Sequence, residues 1–346
     1  PYLLSLGMSK ALLAFVWIAG PLSGTLVQPY IGVRSDNCRV SWGKRKPFML
    51  AGAAATIVAL MALAWVQEIV SGVMGVFGAD GESSAVRTAI IVVATGLMYC
   101  LDFAINTVQA GIRCFIVDNA PTHQQPLANA WASRLTGVGN ILGYIFGYIN
   151  LPKALPFLGK TRFQILCAIA SIALTASLGI SCYYIQERDP RLDGPASKNQ
   201  GFVAFSKQVV KSIRHLPPQI ARVCEVQLAA WMGWFPFLFY ATTYIGQLYV
   251  NPIFEAEPNM SDGDIDHAWE KATRIGTFAL LIYAVISFVA NITLPVFVVP
   301  DKHPASEHPS RSQGWLLRLQ IPGFTLRRAW LLSHVLFAGC MFSTFF

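Results

Sequence analysis

Apolar residues fall in long blocks separated by short polar breaks along this chain of 346 residues. Several blocks exceed the roughly 20 residues needed to cross a bilayer as a helix. Read against the breaks, complete spans are expected over 11–33, 47–67, 88–113, 126–150, 162–185, 220–249 and 274–299. Residues 1–8 read as the end of an earlier helix, and a further span starts near 329. The chain opens at Pro1 without a methionine and stops inside an apolar run, so it is expected to be an internal piece of something longer. The fold class expected is an all-α membrane protein.

The polar breaks alternate in character. Segments 34–46, 186–222 and 300–328 are rich in Lys and Arg, whereas 68–87 carries Arg87 alone and 250–271 is acidic with Lys271 alone. Positive charge marks cytoplasmic loops, so the first three are placed inside and the other two outside. Every span then alternates in direction. Asn259-Met260-Ser261 is a glycosylation sequon on the expected outer side. The long break, 186–219, divides an N-terminal bundle (1–185) from a C-terminal one (220–346), with an amphipathic stretch around 203–214. Two related bundles are a transporter architecture.

Composition supports this reading. Apolar residues make up 54% and charged residues 13%, about half the charged share of a soluble domain. The net charge of +8 sits in loops, where topology rather than nucleic-acid binding explains it. The seven cysteines form no CxxC pair and the six histidines are scattered, so neither a disulfide framework nor a metal or cofactor site is expected. No nucleophile–base set supports an enzyme.

A charge within the bilayer is costly and marks a functional candidate. Asp102 and Glu225 do not fit into loops, and Arg113, Arg134 and Arg274 lie at or within span limits. Positions Asp102, Asn106, Gln109 and Arg113 are spaced four, three and four apart and share one helix face. The stripe extends ~16 Å along the axis. It is suited either to hydrogen-bonding sugar hydroxyls with one titratable proton, or to gluing helices together with Asp102 paired to Arg113. Arg134, before Asn140 in a glycine-rich run, either lines a cavity or reaches for headgroups. Glu225 is either mechanistic or interfacial. Arg274 closes an outer gate or anchors its helix, and Trp234 within an aromatic run stacks on sugar or packs. Asp36 is expected at the cytoplasmic edge, capping a neighbouring helix N-terminus and pairing with Lys44 or Arg45.

Taken together, these segments resemble a known family. Arg34-Ser35-Asp36 through Gly43-Lys44-Arg45-Lys46-Pro47-Phe48 is similar to the first cytoplasmic loop motif of the major facilitator superfamily, in its sucrose-transporter form. Phe15-Val16-Trp17 through Gln28-Pro29 resembles the helix before it. Asp102 through Arg113 with Asp118, then Asn129 with Asn140, Trp234-Phe235-Pro236-Phe237 and Arg274-Ile275-Gly276 are similar to later helices. The chain is identified as resembling the glycoside–pentoside–hexuronide:cation symporters, sucrose/proton branch.

The resemblance implies twelve helices in two bundles and proton-coupled disaccharide uptake by alternating access. The transport unit it implies is a monomer in the plasma membrane or an endomembrane, with no cofactor. It assigns the proton to Asp102 and a substrate contact to Arg113. The residue pattern itself offers Asn106, Gln109, Asn140 and Trp234 as further substrate contacts, Asp36, Gly43, Lys44, Arg45 and Arg274 as gating residues, and Arg134 and Glu225 as secondary candidates. Two departures, the uncharged stretch Tyr240 to Leu248 and Arg134 itself, look fungal or animal, so maltose or another glucoside stands beside sucrose. The other function in view is a non-transporting sugar sensor on the same fold, although the central loop is only of moderate length.

Overall fold

The computed structural model describes residues 3, 6–78, 83–193, 207, 209–211, 213–257, 260–299 and 319–344. The sequon's Asn259, most of the loop 300–328, and much of the stretch 203–214 lie outside the described residues. So do four of the first eight residues.

The first expected span is two helices, α1 (Lys10–Trp17) and α2 (Ala19–Asp36), which meet at Ile18. Next come α3 (Lys46–Ala64), α4 (Val66–Val76), α5 (Ser84–Asn119), α6 (Gln125–Tyr148) and α7 (Arg162–Tyr184). The chain continues with α8 (Pro218–Ala256), α9 (Asp262–Phe297) and α10 (Leu326–Ser343). Five stretches are long and apolar enough to cross a membrane: Leu12–Asp36, Lys46–Ala64, Ser84–Asn119, Arg162–Tyr184 and Gly263–Phe297. α6 and α8 reach 24 and 39 residues, but their aromatic, amide and charged positions lower their hydropathy. Large apolar side chains stand exposed along the helices, among them Val58, Ile172, Leu228 and Met232. Hydrocarbon rather than water is the solvent that accommodates such surfaces.

Two expected loops are largely helical. Residues 66–76 form α4, most of it inside the break read as 68–87, with Val66 and Val70 buried in the core. Most of the break 250–271 is helical, because α8 runs on to Ala256 and α9 starts at Asp262. Ser261 begins α9 by accepting a hydrogen bond from the Asp264 N–H. Polarity there ends the membrane-compatible stretch without ending the helix, since capped polar residues are satisfied in water.

The described residues divide into two compact units. One holds 1–129 with 150–213, the other 130–149 with 214–346. Chain order divides at the central loop; packing instead takes residues 130–149, most of α6 and the residue after it, into the second unit. There Ser133 accepts from Asn291, a Cβ added to Gly137 would meet Phe288, and one added to Gly147 would meet Thr277. These pairs have a nearly constant residue sum, so α6 and α9 run antiparallel.

In the first unit α5 is the central element. It packs on α3 through Gly52, whose added Cβ would stand 2.9 Å from Val108, and through Gly111 beside Met49. Those pairs also keep a constant sum, and the two helices are antiparallel. Against α2 it is the difference that stays nearly constant: Asn106 meets Ser23 and Arg113 meets Gln28, and Tyr99 meets Phe15 of the preceding α1 at the same offset. α2 and α5 are therefore parallel, as the alternation of spans requires.

Candidate functional site

α5 starts on a Ser83 cap, its side chain accepting from the Val86 N–H, and stops at Ala120, whose extended backbone leads into Pro121. Between these ends the polar stripe comes together on one face. Asp102 is half-buried and Asn106 buried, while Gln109 and Arg113 are exposed. Among the described residues, neither Asp102 nor Arg113 enters an ion pair. Eleven residues of helix hold them too far apart for direct contact.

Asn106 is fully engaged. Its amide N–H groups donate to Ser23 Oγ at 2.8 Å and to the backbone oxygen of Asp102 at 2.9 Å. Its carbonyl accepts from Gln28 Nε2 at 2.6 Å. Gln28 Oε1 in turn accepts from Arg113 Nη1 at 3.3 Å. Asn106 therefore acts as a strut to α2, and the groups left open on the stripe are Asp102, Gln109 and the rest of the Arg113 fork.

A second cluster gathers the ends of α2, α3, α5 and α7. Arg45, buried, donates through Nε to Asp118 at 2.8 Å, through Nη2 to Asp36, and through Nη1 to Ser35 Oγ and the Gly32 carbonyl. Lys44 reaches the same Asp118 oxygen at 3.2 Å. Burial pulls the Arg45 guanidinium toward its neutral form, but the Asp118 hydrogen bond and the charges of Asp36 and Asp118 outweigh it. Its pKa stands above the ordinary value.

Asp36 pairs with Arg45 as expected, but it does not cap the neighbouring helix. Glu187, from the segment after α7, takes that place. Its carboxylate accepts the backbone N–H groups of Lys44 and Arg45 on Oε2 at 2.8 and 3.0 Å, and that of Lys46 on Oε1 at 2.9 Å. These amides lead into α3, where free N–H groups and the helix dipole favour an anion. The Asp36 carboxylate is drawn instead to the guanidinium beside it. Lys46 closes the cluster by donating to the Cys182 carbonyl at 2.9 Å.

The remaining candidates lie in the second unit. Trp234 is packed between Phe237 and Phe337, with ring centroids 5.1 and 4.8 Å away, and Phe237 meets Tyr283 edge-on. These neighbours crowd the ring proposed to stack on sugar. Arg274 sits over Tyr148 at 5.5 Å and Arg134 over Trp131 at 5.1 Å, with Arg134 Nε buried and unpaired. Asn140 and Glu225 are exposed.

Three participants escaped the sequence reading: Glu187, Ser23 and Gln28 as a bonding partner. Gln28, an amide beside Pro29 in an apolar helix, carried a usable signal. Glu187 looks like any loop acid until the chain folds.

No protein-family model matches the chain. Aligned end to end, it is 35% identical to the general alpha-glucoside permease of Schizosaccharomyces pombe, spanning 70% of that protein. The chain belongs to the glycoside–pentoside–hexuronide:cation symporters of the major facilitator superfamily. It is also 31% identical over 83% of its length to the rice sucrose transport protein SUT1, and 28% identical over 85% to rice SUT3. It spans little more than half the length of those plant relatives. Family membership makes it a multi-pass membrane protein of a transport class rather than an enzyme.

Proposed function

We propose that the intact protein is a proton-coupled symporter that moves a disaccharide or related glucoside, of the maltose or sucrose kind, by alternating access. The observation that carries this reading is the α5 stripe, where a half-buried acid and an exposed guanidinium share one face of a membrane-length helix. The names of the relatives, an alpha-glucoside permease and sucrose transport proteins, support the substrate class.

In this mechanism Asp102 loads a proton from the outer side and releases it inside. A carboxyl in a weakly hydrated cavity holds its proton more tightly, and a nearby cation loosens it. Sugar hydroxyls bridging Asp102, Gln109 and Arg113 make proton and sugar binding favour each other. On this reading the Arg45 cluster faces the cytoplasm, as the basic loop 34–46 suggests, and steadies the outward-facing state. The drive suffices: one charge crossing 100 mV supplies about 2.3 kcal/mol, and one pH unit about 1.4 kcal/mol.

The test is uptake of labelled maltose and sucrose by the intact protein in liposomes under an imposed pH gradient. Accumulation above the outside concentration, abolished by a protonophore, is the expected result. Binding without accumulation favours the sensor, and neither binding nor uptake sinks the reading.

A further inference from the structure

Hydrogen-bond direction runs one way through the α2–α5 contact. The backbone carbonyl of Asp102 can only accept, so the Asn106 amide turns its NH2 toward it and toward Ser23. That leaves the Asn106 carbonyl facing α2, where only a donor satisfies it. Gln28 meets it with its own NH2, at 2.6 Å. The Gln28 carbonyl is then turned toward Arg113, an acceptor facing a group that can only donate. Each amide is fixed by the one before it, and the order ends on the guanidinium.

We infer that Gln28 is the positioning residue of the substrate site, holding the Arg113 fork in the orientation that receives sugar. The inference rests on the transport reading above, and it adds to the site a residue from a second helix. Gln28 does not touch sugar. It restricts a long side chain that has many rotamers and one other fixed point, its Cα, so that binding loses less freedom when the fork engages. Pro29 follows directly in the chain and lies within α2. A proline interrupts helical bonding next to the residue that must keep its aim, which makes the side-chain bonds the local restraint. Ser23 supports the same string from one turn and a half earlier.

The experiment is initial-rate uptake of labelled maltose or sucrose, whichever the wild type transports, by the intact protein in liposomes. Gln28→Met keeps the length and removes both bonds. Gln28→Asn keeps the amide and is one methylene too short to bridge Asn106 and Arg113. Both are expected to raise KM about tenfold, with Vmax per inserted molecule within about twofold. Arg113→Lys is expected to raise KM as well, and adding Gln28→Asn to it should change KM little, since the fork to be positioned is already gone. An unchanged KM in Gln28→Asn overturns the inference, and so does a double variant whose KM rise is the product of the two. Should Gln28→Met fail to insert, Gln28→Asn alone decides the matter. A wild type that takes up neither sugar counts against the transport reading instead.

Discussion

A Cβ added to Gly43 would stand 2.7 Å from the carboxylate of Glu187. Gly43 has φ +133, a conformation that side chains other than glycine's rarely adopt. The glycine both turns the chain and leaves room for the acid that collects the next three N–H groups.

Gly43→Ala and Glu187→Ala should therefore damage one structure by different routes. The first adds strain and a clash, and the second leaves three amides without their acceptor. Each is expected to cost about 1–3 kcal/mol. The loss should appear as a drop of roughly 2–6 °C in the thermal midpoint of the purified protein. A midpoint unchanged in Glu187→Ala removes the cap from the account of the α3 start.

Asp36→Asn takes one carboxylate from Arg45 and leaves Asp118. If the cluster steadies the outward-facing state, the substitution shifts the population inward. A cysteine introduced in the outer half should then react more slowly with an impermeant thiol reagent. Arg45 itself adds no pH dependence in the ordinary range. Its folded pKa is raised, so its stabilisation is complete below the unfolded value and fades only as pH rises through the still higher folded one.

Asp102→Asn preserves size and hydrogen bonding but removes the titration. Uphill, pH-driven uptake should vanish while sugar exchange survives. Concentrative uptake persisting in Asp102→Asn moves the proton elsewhere, and Glu225 becomes the next group to replace.

Close helix packing makes a separate prediction. A Cβ on Gly276 would lie 2.8 Å from the backbone oxygen of Thr242, which cannot swing away as a side chain can. Gly276→Ala should force α8 and α9 apart at a cost of about 1–3 kcal/mol. Gly143→Ala is the control, with nothing within 4 Å of the added atom. Thermal midpoints of the two variants should differ clearly.

How legible was all this in the sequence? Apolar blocks and basic loops located the helices, because bilayer thickness and loop charge act on the chain as a string. The α5 stripe was legible for the same reason: four residues at helical spacing share a face wherever the helix goes. The division of labour within the stripe was not. Asn106 reads like Gln109 until α2 arrives with Ser23 and Gln28, and only then is one amide consumed and the other left open. Trp234 likewise looks available until Phe337, more than a hundred residues later, packs against it. Glu187 lay beyond reach because its role depends on three amides over 140 residues upstream. The expected loops 68–87 and 250–271 are too long because polarity there ends only the apolar stretch and not the helix.

The pairing of α6 with α9 has a bearing on how the protein is made. Gly137 leaves the ribosome 151 residues before Phe288, the side chain that fills the space beside it. At the usual 5–20 residues per second, α6 waits roughly 8–30 s for that partner. During that interval its glycine face, with Ser133, lacks α9 as a partner. Biogenesis of the second unit thus begins with a helix inserted early and kept in reserve. A ribosome stalled before α9 should leave α6 accessible to crosslinking by insertion factors.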